Sequence, residues 1–228
     1  MFSPPISACS FDAAGTLIHL AEPVGNSYSR VASDFGIESN PRTVELSFRK
    51  VFRKTPPPFS PDSPYVHSNE KMWWRELVEE VFDDAGATWS NSQTLDQCFE
   101  ALYDHFEAPG TWLANDGTHE ILERISARYP CVVLSNFDGR LRRILTNLGL
   151  STFFEDFFLS CEIGASKPSP RMFETVRNHF NLPAEQILHI GDDPVCDEKG
   201  AKDAGFQFFS VGKQGDDLSQ LFDQLSLA

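Results

Sequence analysis

The segment 187-ILHIGDDPVCD-197 carries an apolar run that stops abruptly at a group of acids. A short apolar run that ends at a glycine is typical of a buried β-strand. The earlier segment 6-ISACSFDAAGTL-17 has the same form, because its apolar run ends at Asp12 and a glycine-containing turn. An acid at the tip of a central strand presents its carboxylate to a cleft at the edge of the sheet. The alternative for Asp12 is that it only caps a following helix.

Two sequence textures alternate along the chain, namely short β-rich apolar runs and longer segments with helical spacing. Strands that alternate with helices predict an α/β fold, a doubly wound, Rossmann-like parallel sheet with helices on both faces. The predicted core strands are 6–11, 131–134, 157–160, 187–190 and 207–211, and the predicted core helices are 117–128, 140–148, 171–180 and 201–204.

The first two predicted core strands are more than a hundred residues apart, which is far beyond an ordinary crossover. The intervening sequence has helical patterns and no convincing strand. We therefore predict an all-helical cap subdomain at 21–111, inserted into a core formed by 1–20 and 112–228, with linkers near 20–24 and 108–115. Such an insertion is expected over the carboxyl end of the sheet, where open α/β folds bind ligands. The predicted helices of the insertion are 27–35, 43–54, 70–85 and 93–106.

The composition of the 228 residues is that of a globular protein, with 41% hydrophobic and 23% charged residues. The net charge of −14 disfavours a general nucleic-acid partner, because it repels phosphate backbones. No apolar run approaches the ~20 residues of a spanning helix, and no basic stretch precedes an apolar core at the N-terminus, so we expect neither membrane insertion nor secretion. The five cysteines are widely spaced and form no CxxC pair, which favours a reducing, cytoplasmic location.

Two further polar segments follow apolar runs. Ser135 and Asn136 stand where a strand gives way to a helix, and a hydroxyl and an amide at that point can donate to an oxyanion. An ordinary helix start would explain them equally well. Lys167 precedes Pro168 and would be a fixed point charge suited to a carboxylate or a phosphate, with a solvated loop lysine as the alternative. His189, inside an apolar strand, is predicted to be an interior residue with satisfied hydrogen bonds.

Four acids and one lysine are expected to converge at the mouth of the sheet, with a net charge of −3. Gathering so many carboxylates is costly without a compensating cation. Because the available ligands are hard carboxylate and carbonyl oxygens, Mg²⁺ is the cation they favour. The five residues are Asp12, Asp192, Asp193, Asp197 and Lys167.

In this order and on these strand ends, the four segments resemble the haloacid dehalogenase-like hydrolase superfamily. The resemblance covers 4–20 and 112–215, and the pairs Gly200-Ala201 and Ala204-Gly205 add to it. The helical insertion is similar to that of the members named only as domain-containing hydrolases of this superfamily.

The resemblance implies a role for each matching residue. Asp12 would be the nucleophile that forms a covalent aspartyl intermediate. Ser135, with Asn136 and Thr16, would hold the substrate's phosphoryl oxygens. Lys167 would orient Asp12 and neutralise charge in the transition state.

The resemblance also implies a Mg²⁺ site. Its ligands would be Asp12, the backbone carbonyl of Ala14, and Asp192. Asp193 or Asp197 would complete or orient the shell around the ion.

The chain departs from the superfamily pattern at Ala14. Members that hydrolyse phosphate monoesters usually carry a second Asp at this position, and Ala14 can neither protonate a leaving alkoxide nor activate water. General acid–base help typically contributes about 10²–10⁴-fold. We therefore expect a phosphatase-type hydrolase acting on a small phosphorylated metabolite with a good leaving group, unless another group such as His19 or His67 supplies the proton.

Three alternatives stay open: a haloacid dehalogenase acting on a halogenated substrate, a phosphonatase-type hydrolase, and an impaired member that only binds phosphorylated ligands. Dehalogenases of the superfamily use no metal and usually lack the acids kept here at 191–193. Phosphonatases need a desolvated lysine in the insertion, and Lys50, Lys54 and Lys71 lie in charged helical segments. Whether the protein is a monomer or a homodimer is open.

Overall fold

The computed structural model describes residues 5–59, 70–212, 218–221 and 225. The chain divides into two compact units. The core unit is Met1–His19 with Leu113–Ala228, and the inserted unit is Leu20–Trp112.

A parallel five-stranded sheet forms the centre of the core unit, which confirms the predicted α/β class. Numbered along the chain, the strands are β1 (Ala8–Phe11), β2 (Ile18–Leu20), β3 (Trp112–Ala114), β4 (Cys131–Ser135), β5 (Asp156–Leu159), β6 (Ile187–Gly191) and β7 (Gln207–Ser210). The order across the large sheet is β5-β4-β1-β6-β7. Strand order therefore reverses beside β1, and open α/β sheets bind ligands at such a point.

The central strands β1, β4 and β6 are buried along their whole lengths. Parallel strands covered on both faces read as continuous apolar runs, which is why the sequence shows them without alternation. Phe11, the last residue of β1, is level with Val133 in β4 and with Ile190 in β6, so the three strands end within two residues of one another. The helices of the core unit are α5 (Thr118–Ser126), α6 (Arg140–Asn147), α7 (Ser160–Ile163), α8 (Pro170–Phe180) and α9 (Gly200–Asp203).

Four helices make up the inserted unit as the structure describes it. Its core is aliphatic and aromatic, with Tyr28, Leu77 and Phe82 at its centre. Asn40 begins the second helix by accepting the N–H groups that follow Pro41, a favourable helix start. The four helices are α1 (Val24–Ser33), α2 (Pro41–Lys54), α3 (Glu70–Asp84) and α4 (Ser92–His105).

The sequence did not predict the second, two-stranded sheet. The strands β2 and β3 pair with each other at the two places expected to be plain linkers. The Ala21 N–H also donates to the Thr111 carbonyl beside them, at 2.9 Å. A strand of three residues is too short for any hydrophobic period to be visible. Within the described parts of the chain, no helix has the length and apolar character needed to cross a bilayer.

Candidate active site

Three adjacent strands carry the chemistry at their carboxyl ends. Asp12 follows β1 directly, Ser135 is the last residue of β4, and Asp192 follows the last residue of β6. Because β4, β1 and β6 are neighbours and parallel, their ends lie at one edge of the sheet. The fold therefore brings together polar residues that are far apart in sequence.

Asp12 is held by a buried lysine and a hydroxyl. Lys167 Nζ donates to Asp12 Oδ1 at 2.7 Å, and Ser135 Oγ donates to the same oxygen at 3.1 Å. The Lys167 side chain is only 1% exposed, so it is a fixed counter-ion and not a solvated loop lysine. It reaches Asp12 from the loop between α7 and α8.

Asp197 is the second partner of Lys167. A π-helical turn at Pro194–Lys199 places Asp197 Oδ1 at 2.5 Å from Lys167 Nζ, while Asp197 Oδ2 accepts the Asp193 N–H at 3.0 Å. A Cβ atom on Gly191 would lie within 2.5 Å of Asp197 Oδ2. Glycine is therefore required at 191, because the carboxylate occupies the space of any larger side chain.

Asp192 approaches the turn that follows β1. Thr16 Oγ1 donates to Asp192 Oδ1 at 3.3 Å, so the hydroxyl predicted to bind substrate is bonded to an acid. Gly15 has φ of +97°, and a Cβ atom there would lie 2.5 Å from Asp192 Oδ2. The glycine serves both the positive φ and the close approach of the carboxylate.

The donor set fits a divalent cation. One carboxylate oxygen from each of Asp12, Asp192 and Asp197 lies within 4.8 Å of the other two, and carboxylates are ligands that Mg²⁺ prefers. In the described turn 13–18, three backbone N–H groups donate to the Ala13 carbonyl and none to that of Ala14. The Ala14 carbonyl is thus not used by the turn's own hydrogen bonds.

Asp193 caps the turn that follows β6. Its Oδ1 accepts the N–H groups of Val195 and Cys196, at 2.8 and 2.7 Å, and it is not among the three acids that cluster. An Asp that precedes a Pro at the first helical position is a strong N-cap. Capping directs the Asp193 carboxylate to the N–H groups of the turn and away from the clustered acids. The clustered acids and Lys167 therefore sum to −2 rather than −3. Asp193 supports Asp197 through its backbone N–H and not through its carboxylate.

Asn136 binds the backbone of Lys167. Its Oδ1 accepts the Lys167 N–H at 2.6 Å, and its Nδ2 donates to the Lys167 carbonyl at 2.9 Å. The side-chain amide is bonded to the lysine backbone at both of its polar atoms, and the role of Asn136 beside Ser135 stays a prediction. Asn136 fixes the base of a side chain whose tip is fixed by Asp12 and Asp197.

The electrostatics follow from burial. Burial raises the pKa of Asp12 to about 6, with Asp197 and Asp192 adding to the rise and Lys167 opposing it. Burial also works against ionisation of Asp197, but Lys167 and His189 outweigh it and hold the pKa of Asp197 well below its usual range. For Lys167, burial favours the neutral form, but Asp12 and Asp197 raise its pKa above the ordinary value. The lysine and Asp197 are a charged pair, and a cation would favour ionised Asp12.

The comparisons with known proteins decide the family. Residues 6–205 match the family model described as haloacid dehalogenase-like hydrolase. The chain belongs to this family. The human haloacid dehalogenase-like hydrolase domain-containing protein 3 is 33% identical over 209 residues, which cover 90% of this chain and 82% of the relative.

Solved structures share the fold of this family member. The HAD-hydrolase YfnB from Bacillus subtilis, bound to magnesium, has a TM-score of 0.73 at 17% identity, covering 97% of this chain and 99% of that one. A HAD phosphatase from Thermococcus onnurineus has a TM-score of 0.66 at 19% identity, covering 96% and 98%. The 2-haloacid dehalogenase from Pseudomonas syringae has a TM-score of 0.67 at 21% identity, covering 97% and 98%. At these identities the similarity shows the fold alone.

The histidines proposed as substitute acids differ in what the structure says of them. His19 is exposed, and its Nδ1 is 2.6 Å from Asn115 Oδ1. His67 lies outside the described residues. The side chain of Ala14 is a methyl group, which has no proton to exchange.

Sequence reasoning did not foresee two polar groups next to the site. His189, expected only to be a satisfied interior residue, contacts Asp197 Oδ1 through Nε2 at 3.1 Å. Arg140 forms a buried two-point pair with Asp138 just beyond Ser135, at 2.8 and 2.5 Å. The π-helical turn brings Asp197 back to His189, and Arg140 reaches Asp138 two residues before it. Neither contact leaves a periodic signal in the sequence.

Proposed function

We propose that this haloacid dehalogenase-like hydrolase is a Mg²⁺-dependent phosphatase that uses Asp12 as its nucleophile on small phosphorylated metabolites with good leaving groups. The observation that carries the proposal is the Asp12 carboxylate, bonded on one oxygen by Lys167 and Ser135 and clustered with Asp192. A structural carboxylate in a core needs one partner, whereas this one has a lysine, a hydroxyl and further acids around it.

The proposed reaction has two displacements at phosphorus. Asp12 attacks through Oδ2, a new O–P bond forms, and the bond from phosphorus to the leaving group breaks with its electron pair on the leaving group. Water then attacks the aspartyl phosphate, releasing inorganic phosphate and restoring the carboxylate. Lys167 and Ser135 hold Asp12 Oδ1 throughout and oppose the negative charge that develops on the phosphoryl oxygens.

A bound Mg²⁺ would supply positive charge that offsets the phosphoryl oxygens and the clustered acids. The residues that would hold it are Asp12, the Ala14 carbonyl and Asp192. Asp197 has both carboxylate oxygens in hydrogen bonds to protein donors, so its role would be to orient Lys167 at the edge of the ion's shell.

The leaving group follows from what surrounds Asp12. Lys167 is committed to two carboxylates, and Ala14 has no proton to give. A leaving group that is stable as an anion needs no proton, so an acyl phosphate is the substrate class that suits this site best. An aryl phosphate is the next best, and an alkyl phosphate the worst.

The test measures release of inorganic phosphate from an acyl, an aryl and an alkyl phosphate, each with and without Mg²⁺. Wild type is expected to favour the acyl phosphate and to need Mg²⁺. Asp12→Asn is expected to abolish turnover while leaving the fold intact, and Ala14→Asp to increase turnover of the alkyl ester selectively. Wild-type rates in Asp12→Asn, or retained phosphate binding without hydrolysis of any ester, would overturn the proposal.

A second candidate, dehalogenation, is favoured by Ala14 alone, because a departing halide needs no proton. Asp12 would then attack carbon instead of phosphorus. A 2-haloacid assayed without Mg²⁺ tests it, and halide release at wild-type Asp12 with none in Asp12→Asn would establish it. Phosphonatase chemistry is not favoured, because Lys50, Lys54 and Lys71 are paired with Asp84, Glu80 and Glu100 on the surface of the inserted unit.

The proposal extends to where the enzyme works and what it meets. All five cysteines are free thiols, a pattern that fits a reducing compartment, so we place the protein in the cytoplasm. The net charge of −14 supports small-molecule substrates and no nucleic-acid partner.

A further inference from the structure

We propose that His189 is a positioning residue of the reaction, which orients Asp197 and, through Asp197, Lys167; the inference rests on the proposed function. His189 lies within β6 and is completely buried. Its Nδ1 is 2.9 Å from Ser10 Oγ and its Nε2 is 3.1 Å from Asp197 Oδ1. Both ring nitrogens therefore have partners inside the core unit.

The partners fix which nitrogen carries the proton. An ionised carboxylate can only accept, so His189 Nε2 donates to Asp197. The neutral ring then accepts at Nδ1, and the Ser10 hydroxyl is the donor. Burial lowers the pKa of His189, which agrees with a neutral ring. The chain of hydrogen bonds runs in one direction, from Ser10 to His189 to Asp197.

Rigid neighbours hold the ring in place. Ser10 and His189 are directly opposite each other in the β1–β6 pairing, so the hydrogen bond joins two fixed strands. Phe173 packs edge-on against the His189 ring, with centroids 5.4 Å apart and planes at 89°. The imidazole is thus fixed by the sheet and by α8, and it can fix the carboxylate that it contacts.

The orientation of Asp197 in turn determines the position of Lys167. His189 Nε2 and Lys167 Nζ both donate to Asp197 Oδ1, so the orientation of the carboxylate sets where Nζ finds its partner. Lys167 Nζ also donates to Asp12 Oδ1, and a shift of the lysine would loosen the nucleophile. Ser10 lies on β1, two residues before Asp12, which follows the end of that strand. The hydrogen-bonded network therefore begins and ends on the same segment of the chain.

The test compares kcat and KM of His189 variants on the acyl phosphate with Mg²⁺. His189→Leu is expected to lower kcat about 10–100-fold with little change in KM, the usual cost of losing a residue that orients a catalytic group. His189→Gln places an amide donor near the position of Nε2 and is expected to recover much of the kcat. Ser10→Ala, which removes only the donor to Nδ1, is expected to lower kcat less than His189→Leu.

Val176→Ala is the matched control, because Val176 is fully buried in the hydrophobic cluster that includes Phe173 and has no polar side-chain atom that could join the hydrogen-bond network. Denaturant unfolding places the variants on one stability scale. Val176→Ala is expected to lose stability and keep its kcat. A folded His189→Leu with wild-type kcat, or His189→Gln no better than His189→Leu, would overturn the inference.

The two proposals fail in different ways. If wild type hydrolyses none of the esters, the proposed function fails, and the inference is then read from ¹⁵N NMR of the His189 ring. A proton on Nε2 that shifts in Asp197→Asn supports the orientation of the network. A proton on Nδ1 overturns it whatever the activity.

Discussion

The core unit and the inserted unit use the same kind of ion pair in opposite surroundings. In the core unit, Lys167 is 1% exposed and bonds two carboxylates that are themselves buried. In the inserted unit, Lys54 and Glu80 are about half exposed, at 52% and 46%, and Lys71 and Glu100 are similar. The core unit has exposed pairs as well, such as Arg142 with Glu162, so the feature that sets it apart is the buried lysine with its two carboxylates.

The difference shows which unit is built for chemistry. A surface pair adds about 0–1 kcal/mol, so the pairs of the inserted unit are ordinary solvated helix faces. A buried pair is expensive to desolvate, and apolar residues of similar volume would often stabilise a fold as well or better. The proposed reaction explains the buried Lys167 cluster best, because apolar residues would stabilise the fold at least as well as these buried charges.

The largest expected effect comes from breaking one pair in each unit. Lys167→Ala leaves Asp12 and Asp197 buried without their shared cation, and we expect a loss of about 3–5 kcal/mol in unfolding free energy together with loss of turnover. Lys54→Ala, the matched surface variant, is expected to leave the unfolding free energy almost unchanged. Urea unfolding measures both. Equal losses in the two variants would show that the comparison between the units is mistaken.

A smaller effect is expected from two glycines with positive φ. Gly36→Ala, in the inserted unit, places its Cβ where no atom lies within 4 Å. It is therefore expected to cost only the backbone strain of the positive φ, about 1–2 kcal/mol. Gly15→Ala is strained as well, at a φ of +97°, and it also pushes its Cβ against Asp192. We expect only Gly15→Ala to weaken Mg²⁺ binding, measured by calorimetry. Unchanged binding in Gly15→Ala would mean that the position of Asp192 is not what the turn protects.

A third comparison concerns two asparagines. Asn136→Ala removes two hydrogen bonds to the Lys167 backbone and is expected to cost about 1–3 kcal/mol and to lower kcat. Asn40→Ala removes the N-cap of α2 and is expected to cost about 1 kcal/mol with kcat unchanged. If kcat is the same in both variants, Asn136 is a structural residue only.

The sequence predicted those features that leave a local signal. Parallel strands buried on both faces read as continuous apolar runs, so the runs before Asp12 and Asp192 located two of the strands. The motifs at the strand ends together identified the family. The direction of a side chain at a strand end has no such signal. Asp193 and Asp197 both follow β6, and the π-helical turn decides that one caps the turn while the other meets Lys167.

The same limit explains the other differences. The Asn136 amide faces Lys167 because two loops distant in sequence meet there, and His189 meets Ser10 through the strand register. The strands β2 and β3 are three residues long and look like linkers. Each of these features depends on tertiary structure, which a single sequence does not display.

Calorimetric titration of Mg²⁺ into wild type, Asp192→Asn and Asp193→Asn tests the central claim most directly. The two variants change neighbouring acids in the same way, and Asn at 193 keeps the helix-capping side chain. We predict that wild type and Asp193→Asn bind Mg²⁺ alike and that Asp192→Asn binds at least about tenfold more weakly. Wild-type affinity in Asp192→Asn would contradict a metal site formed by Asp192 beside Asp12.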